Sequence, residues 1–221
     1  MPLGALIARF ESIRSDWLET ELRHTIIAFG AGALLAAVAL VLVPEGMHHL
    51  TPLPMISLLL LGGITFLLLD YFIARSQGRY SQLIAMLADF IPEALALGAT
   101  FSASPQLGTL LAGIIALQNC PEGFNAYREL LETKRYRQTQ VILLFTAMAF
   151  LGPIAGLTGH LLLSDAPIII AAIMTFAAGG ILYLIFQDIA PNVKLNNRWT
   201  PALGAVIGFA LGVFGKYLTG H

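Results

Sequence analysis

Two short segments of this sequence set carboxylates and carboxamides beside a proline. Asp89 and Glu93 stand four residues apart in Leu87-Ala88-Asp89-Phe90-Ile91-Pro92-Glu93, and Gln118 and Glu122 repeat that spacing in Gln118-Asn119-Cys120-Pro121-Glu122. Residues four apart share one face of a helix. Pro92 and Pro121 have no N–H to give the carbonyls of Ala88 and Leu117, and a proline ring kinks a helix, so backbone oxygen is freed next to the side chains. Three carboxylates and an amide converging from two such helices would form an oxygen-rich, negative cage for protons or a divalent metal. Carboxylate oxygens accept magnesium, calcium and the first-row ions alike, so the ligand types do not select the ion. The competing reading makes these groups protonated or hydrogen-bonded structural contacts between helices.

The elements that carry the two segments belong to a membrane. Of the 221 residues 57% are hydrophobic and 11% charged, with a mean hydropathy of +0.78, against about 25% charged in a soluble domain. About 20 apolar residues span the hydrocarbon as a helix, and open strands cannot, because their backbone groups would go unpaired. Seven stretches qualify, at 24–47, 53–73, 82–101, 107–127, 138–163, 166–189 and 200–219. The expected fold is therefore an all-α polytopic helix bundle. Both proline segments fall inside spans, where a carboxylate is costly unless it faces a cavity or a partner.

Eleven of the twelve Lys and Arg residues fall before the first span or in the second, fourth and sixth connections, and only Lys216 lies on the other side. Basic loops stay in the cytoplasm, which predicts a cytoplasmic N-terminus and an outer C-terminus. Residues 1–23 form a cytoplasmic N-terminal segment, either an interfacial helix or the remnant of a first helix, and 24–221 form the membrane domain. A formal charge of -1 leaves no basic surplus for nucleic acid. Cys120, the single cysteine, excludes an intramolecular disulfide.

Other polar residues sit near span ends. Glu45, His48 and His49 mark a candidate outer capture point, since neutral imidazole suits zinc and its neighbours, and Gln187 with Asp188 before Pro191 mark a candidate exit path. An exposed polar loop and simple interfacial polarity are the plain alternatives. Asp70 needs only a helix-end role. Cys120 is turned away from Gln118 and Glu122 and reads as a packing residue. Glycines at 30 and 32, 62–63, 152 and 156, 179–180, and 204, 208 and 212 let helices approach closely, for a compact bundle and a homodimer. No nucleophile stands beside a base in the spans and no His-Glu-x-x-His is present, so an enzyme is not expected.

The two Pro-Glu segments resemble the paired metal-binding helices of the ZIP (zinc/iron-regulated-transporter-like) family, which carry His-Asn-x-Pro-Glu/Asp-Gly and His/Gln-Asn/Asp-x-Pro-Glu-Gly. Gln118 to Gly123 matches the second almost completely, and Asp89 to Ala94 matches the first more loosely. Phe29 to Gly46 looks like the family's second helix and Gly180 to Pro191 like its seventh. The resemblance implies eight helices, the first of them missing here, and a metal centre fed from outside and emptied into the cytoplasm. It assigns one site to Asp89, Glu93, Gln118 and Glu122, and a second to Glu93, Glu122 and Asn119. Asp89 replaces the usual His, Phe90 the usual Asn, and Gly152 a Glu of the sixth helix, which leaves one transported-metal site. The function implied is inward transport of zinc, with manganese, iron, cobalt or cadmium as alternatives, by rocking one helix group against another around that site. The ion is cargo and no cofactor is expected. The expected location is the inner membrane of a prokaryote, and the alternative function is a non-transporting metal-binding remnant or scaffold.

Overall fold

The structure is a computed structural model that describes residues 1–10, 18–76, 90, 93–94, 97–98, 100–101, 104–132, 134–163, 165–194 and 198–219. All the regular structure among these residues is helical. A short α1, Pro2–Phe10, comes first. A π turn at Leu18–Leu22 leads into α2, Arg23–Ala37, and a second π turn at Val38–Leu42 joins it to α3, Val43–His49. Then follow α4, Pro52–Ser76; α5, Pro105–Glu132; α6, Gln138–Leu163; α7, Pro167–Leu184; a third π turn, Ile185–Ile189; α8, Ala190–Val193; and α9, Thr200–Leu218.

Five helical segments are long and apolar enough to cross a membrane: Thr20–His49, Pro52–Phe72, Gln138–Leu163, Pro167–Val193 and Thr200–Leu218. Each coincides with an expected span. The first begins earlier than the sequence suggests, because the charged Leu18–Leu22 stretch is itself helical. The fourth expected span is α5, whose 28 residues exceed what a bilayer requires, with polar groups from Gln118 to Asn125 in its middle. The third, at 82–101, is described only at 90, 93–94, 97–98 and 100–101, all of them helical. Asp89 and Pro92 lie outside the described residues.

Two π turns have a visible cause. Val38–Leu42 and Ile185–Ile189 each end two residues before a proline, Pro44 and Pro191. A proline cannot donate to the carbonyl four residues back, and its ring crowds that carbonyl. Widening the preceding turn accommodates the proline without ending the helix, and turns of this kind recur at functional sites. Both carry residues singled out above, Glu45 just after the first and Gln187 within the second.

The helices are stitched in pairs by glycine. A Cβ on Gly32, Gly204 or Gly208 would collide with backbone across the α2–α9 contact, and one on Gly62 or Gly179 would do so across α4–α7. On the other side of the molecule Gly4 and Gly123 hold α1 and α5 backbone to backbone, and Gly98 meets α6 at Gly156 in the same way. Small residues permit this approach where a larger side chain would wedge the helices apart. Among the described residues two apolar clusters result. One joins α2, the Val38–Leu42 turn and α7 to Leu110, Leu111 and Ile114 of α5; the other joins α1 and α6 to Ala126, Tyr127 and Leu130 of α5.

Candidate metal centre

The Gln118 to Glu122 motif occupies the stretch of α5 between the two clusters. Helix α5 runs through Pro121 without ending. Glu93, on the neighbouring described helical residues, is 6% exposed and Gln118 is 4% exposed. The Gln118 Nε2 donates to both Glu93 carboxylate oxygens, at 3.1 Å to Oε1 and 2.9 Å to Oε2. The two proline segments therefore meet through Glu93 of the first and Gln118 of the second.

Two buried oxygens beside this pair have no hydrogen-bond partner among the described residues, Gln118 Oε1 and Asn119 Oδ1. Asn119 is 8% exposed and its Nδ2 donates 2.8 Å to the Ile115 carbonyl, which leaves its oxygen as acceptor only. Buried polar atoms are almost always paired, so such oxygens mark either a cost or a ligand. A small cavity borders Glu93 and Gln118, walled by Leu34 of α2, Ile114 of α5, and Ala177 and Ile181 of α7, with room for about one water-sized occupant. It lies where α2 and α7 face α5 and Glu93. Glu122 is half-buried one turn along α5 from Gln118. Among the described residues no three His, Cys, Asp or Glu side chains converge as a metal cage; the site that is described is one carboxylate, two amide oxygens and a neighbouring carboxylate.

The peripheral candidates divide. In α3 the His49 Nε2 stands 3.2 Å from Glu45 Oε1, and the His48 and His49 rings meet edge-on at 4.7 Å. Gln187 is exposed in the Ile185–Ile189 turn, and of Asp188 only the backbone is described. Cys120 is half-buried, and its backbone carbonyl faces Gly4 of α1. Asp70 accepts a 3.0 Å hydrogen bond from the Tyr183 hydroxyl, joining α4 to α7. Two polar links were not legible in the sequence. Glu21, 6% exposed, accepts 2.7 Å bonds from Arg198 Nη1 and Thr200 Oγ1 and fastens the start of α2 to the start of α9. Arg23 donates through Nε, at 2.8 Å, and through Nη2 to Asn125 Oδ1, and Asn125 Nδ2 donates 3.1 Å to Glu129. Their partners are about a hundred or more residues apart in the chain, with no local pattern to announce them.

Residues 73–216 match the family model described as ZIP zinc transporter, well over half of the chain. The chain belongs to the ZIP family. It is thus an integral membrane protein of a family of metal-ion transporters, and both proline segments and the Ile185–Ile189 turn lie within the matched range, while α2 and α3 precede it. A comparison with curated proteins finds no match.

Proposed function

We propose that this ZIP-family chain moves a divalent metal ion, zinc or a related ion such as manganese, iron, cobalt or cadmium, toward the cytoplasm through a site on the two proline-bearing helices. The observation that carries this reading is the buried Glu93 carboxylate held by the Gln118 amide, with the Gln118 and Asn119 oxygens left over beside it. The Gln118 side chain serves two states. Its NH₂ donates to Glu93 when no cation is present, and a half-turn of the amide presents Oε1 beside the same carboxylate when one arrives. Glu122 and Asn119 complete the oxygen set on α5, and Asp89 adds a further carboxylate. Glu45, His48 and His49 gather the ion on the outer side, and Gln187 with Asp188 line its way out.

The packing supports motion of one group of helices against another. Within each group backbones interlock at glycines, whereas the meeting of α2 with α5 is made by side chains and by Gly30, where a Cβ would rest 3.6 Å from Pro121 Cγ in ordinary contact. Rigid bodies that slide or rock across a side-chain interface, around a site at their junction, give access to one face at a time. The protein sits in the inner membrane of a prokaryote with the basic ends of its helices in the cytoplasm.

The deciding experiment is uptake into proteoliposomes of Zn²⁺, Mn²⁺, Fe²⁺, Co²⁺ and Cd²⁺, offered separately, by the wild-type chain and by Glu122→Ala. Uptake of at least one ion by the wild type and none by the folded variant is expected. Equal uptake by both would remove the site assignment, and no uptake by either would leave a metal-binding scaffold.

A further inference from the structure

Three polar links gather at the end of the bundle that carries the basic residues. Two of them stay within a glycine-stitched pair: Glu21 with Arg198 and Thr200 between α2 and α9, and Asp70 with Tyr183 between α4 and α7. The third differs in kind. Arg23 belongs to α2, whose backbone is interlocked with α9, and its partner Asn125 belongs to α5, whose backbone is interlocked with α1. This link therefore crosses the junction on which the cavity and the Glu93–Gln118 pair lie. Asn125 is three residues past Glu122, about 4.5 Å further along the helix axis. Gly30, seven residues into α2 from Arg23, is the point where α2 touches Pro121 and Gln118, so the two helices run in opposite directions past the site and Arg23 closes the junction beneath it.

We infer that Arg23 and Asn125, with Glu129 bracing the Asn125 amide, form the inner latch of the transport site. The inference rests on the transport reading above. Closed, the latch ties the two bodies together at the cytoplasmic end and holds a guanidinium against Asn125, three residues past Glu122, where its charge opposes a leaving cation. Release of the ion requires the bodies to part at this end, and the Arg23–Asn125 hydrogen bonds break and re-form once in each cycle. Arg23 is a positioning residue; it does not ligate the ion.

The test fixes the latch shut. In a Cys120→Ser background, Arg23→Cys and Asn125→Cys are combined and bridged with a cleavable bifunctional thiosulfonate, and metal uptake into proteoliposomes is followed before bridging, after bridging and after reduction. A second pair, Asp70→Cys with Tyr183→Cys, is bridged in the same way within one body. Bridging across the junction is expected to lower uptake by about tenfold or more, because it removes one of the two states from the cycle, and reduction restores it. Bridging Asp70→Cys to Tyr183→Cys leaves uptake within about twofold, because the α4–α7 pair moves as a unit. Undiminished uptake through the bridged Arg23–Asn125 pair would overturn the latch while leaving the transport reading intact. Absence of uptake in the Cys120→Ser background, with the wild type also inactive, would instead overturn transport itself, and the latch with it. If the Asn125→Cys pair is inactive before bridging, Arg23→Cys with Glu129→Cys spans the same junction one turn further along α5, and loss or survival of uptake on bridging that pair decides for or against the latch in the same way.

Discussion

Helix α2 meets two neighbours in two different ways. Gly30 and Gly32 are two residues apart and point about 200° away from each other around the helix. On the Gly32 side the α9 backbone comes so close that a Cβ would strike the carbonyl of Ala205, while on the Gly30 side a Cβ would sit in ordinary contact with Pro121 of α5. Two glycines of one Gly-Ala-Gly run thus have different duties. The first relieves a side-chain contact that can be traded for another; the second admits a backbone that has nowhere else to go. Mobility in a helix bundle is decided at this level, because interlocked backbones move together and side-chain interfaces can repack.

The largest effect expected on this contrast comes from the junction itself. Glu93→Ala removes the carboxylate that the Gln118 amide holds and that the proposed site offers to a cation, and uptake per folded molecule should fall by about a hundredfold or more, measured in proteoliposomes after size-exclusion purification. Retained uptake would detach function from the junction. Next, Gly208→Val, which drives methyl groups into the Phe29 carbonyl across α2–α9, should cost about 1–3 kcal/mol, read as a lower thermal midpoint in detergent. Glu21→Gln weakens the clamp to Arg198 and Thr200 and should cost about 1 kcal/mol, with uptake by the folded fraction unchanged, because this clamp lies within one body. The smallest effect is also the sharpest comparison. Gly32→Ala should destabilise, whereas Gly30→Ala should be neutral or raise stability by up to about 1 kcal/mol, because Ala favours the helix and its Cβ meets no obstacle. Equal losses for both would mean that the two faces of α2 are alike.

The sequence was informative wherever a rule is local. Apolar run length located the five spans that meet the length and hydropathy test, and the polar residues beside proline singled out the segments that carry Glu93 and Gln118, although their spacing within each helix did not say which side chains would touch. Small-residue runs marked the surfaces where helices come close, and the structure shows which helices they join, α2 to α9 and α4 to α7. What stayed hidden depends on chain-distant geometry. Nothing near Glu21 shows that Arg198 will cover it, and nothing near Arg23 points to Asn125. The π turns were also missed, since a window that counts apolar residues tolerates one extra residue in a turn; Pro44 and Pro191 were the available signals. Asp89, the remaining ligand candidate, is outside the described residues, and the candidate site is described by Glu93 and by the motif on α5.

The Val38–Leu42 turn bears on how such a helix can be edited. Because it holds one residue more than an α turn, everything beyond it, including Glu45, Gly46, His48 and His49, is set out of phase with the face that α2 presents to its neighbours. Deleting a single residue there would restore an unbroken α pitch and swing α3 by about 100° about its axis, taking Gly46 off Thr175, against whose hydroxyl it now packs. The part of α2 before Val38 would keep its contacts with α9. One codon would therefore re-aim the segment that carries Glu45, His48 and His49, and would shift the buried Val41 and Leu42 side chains with it.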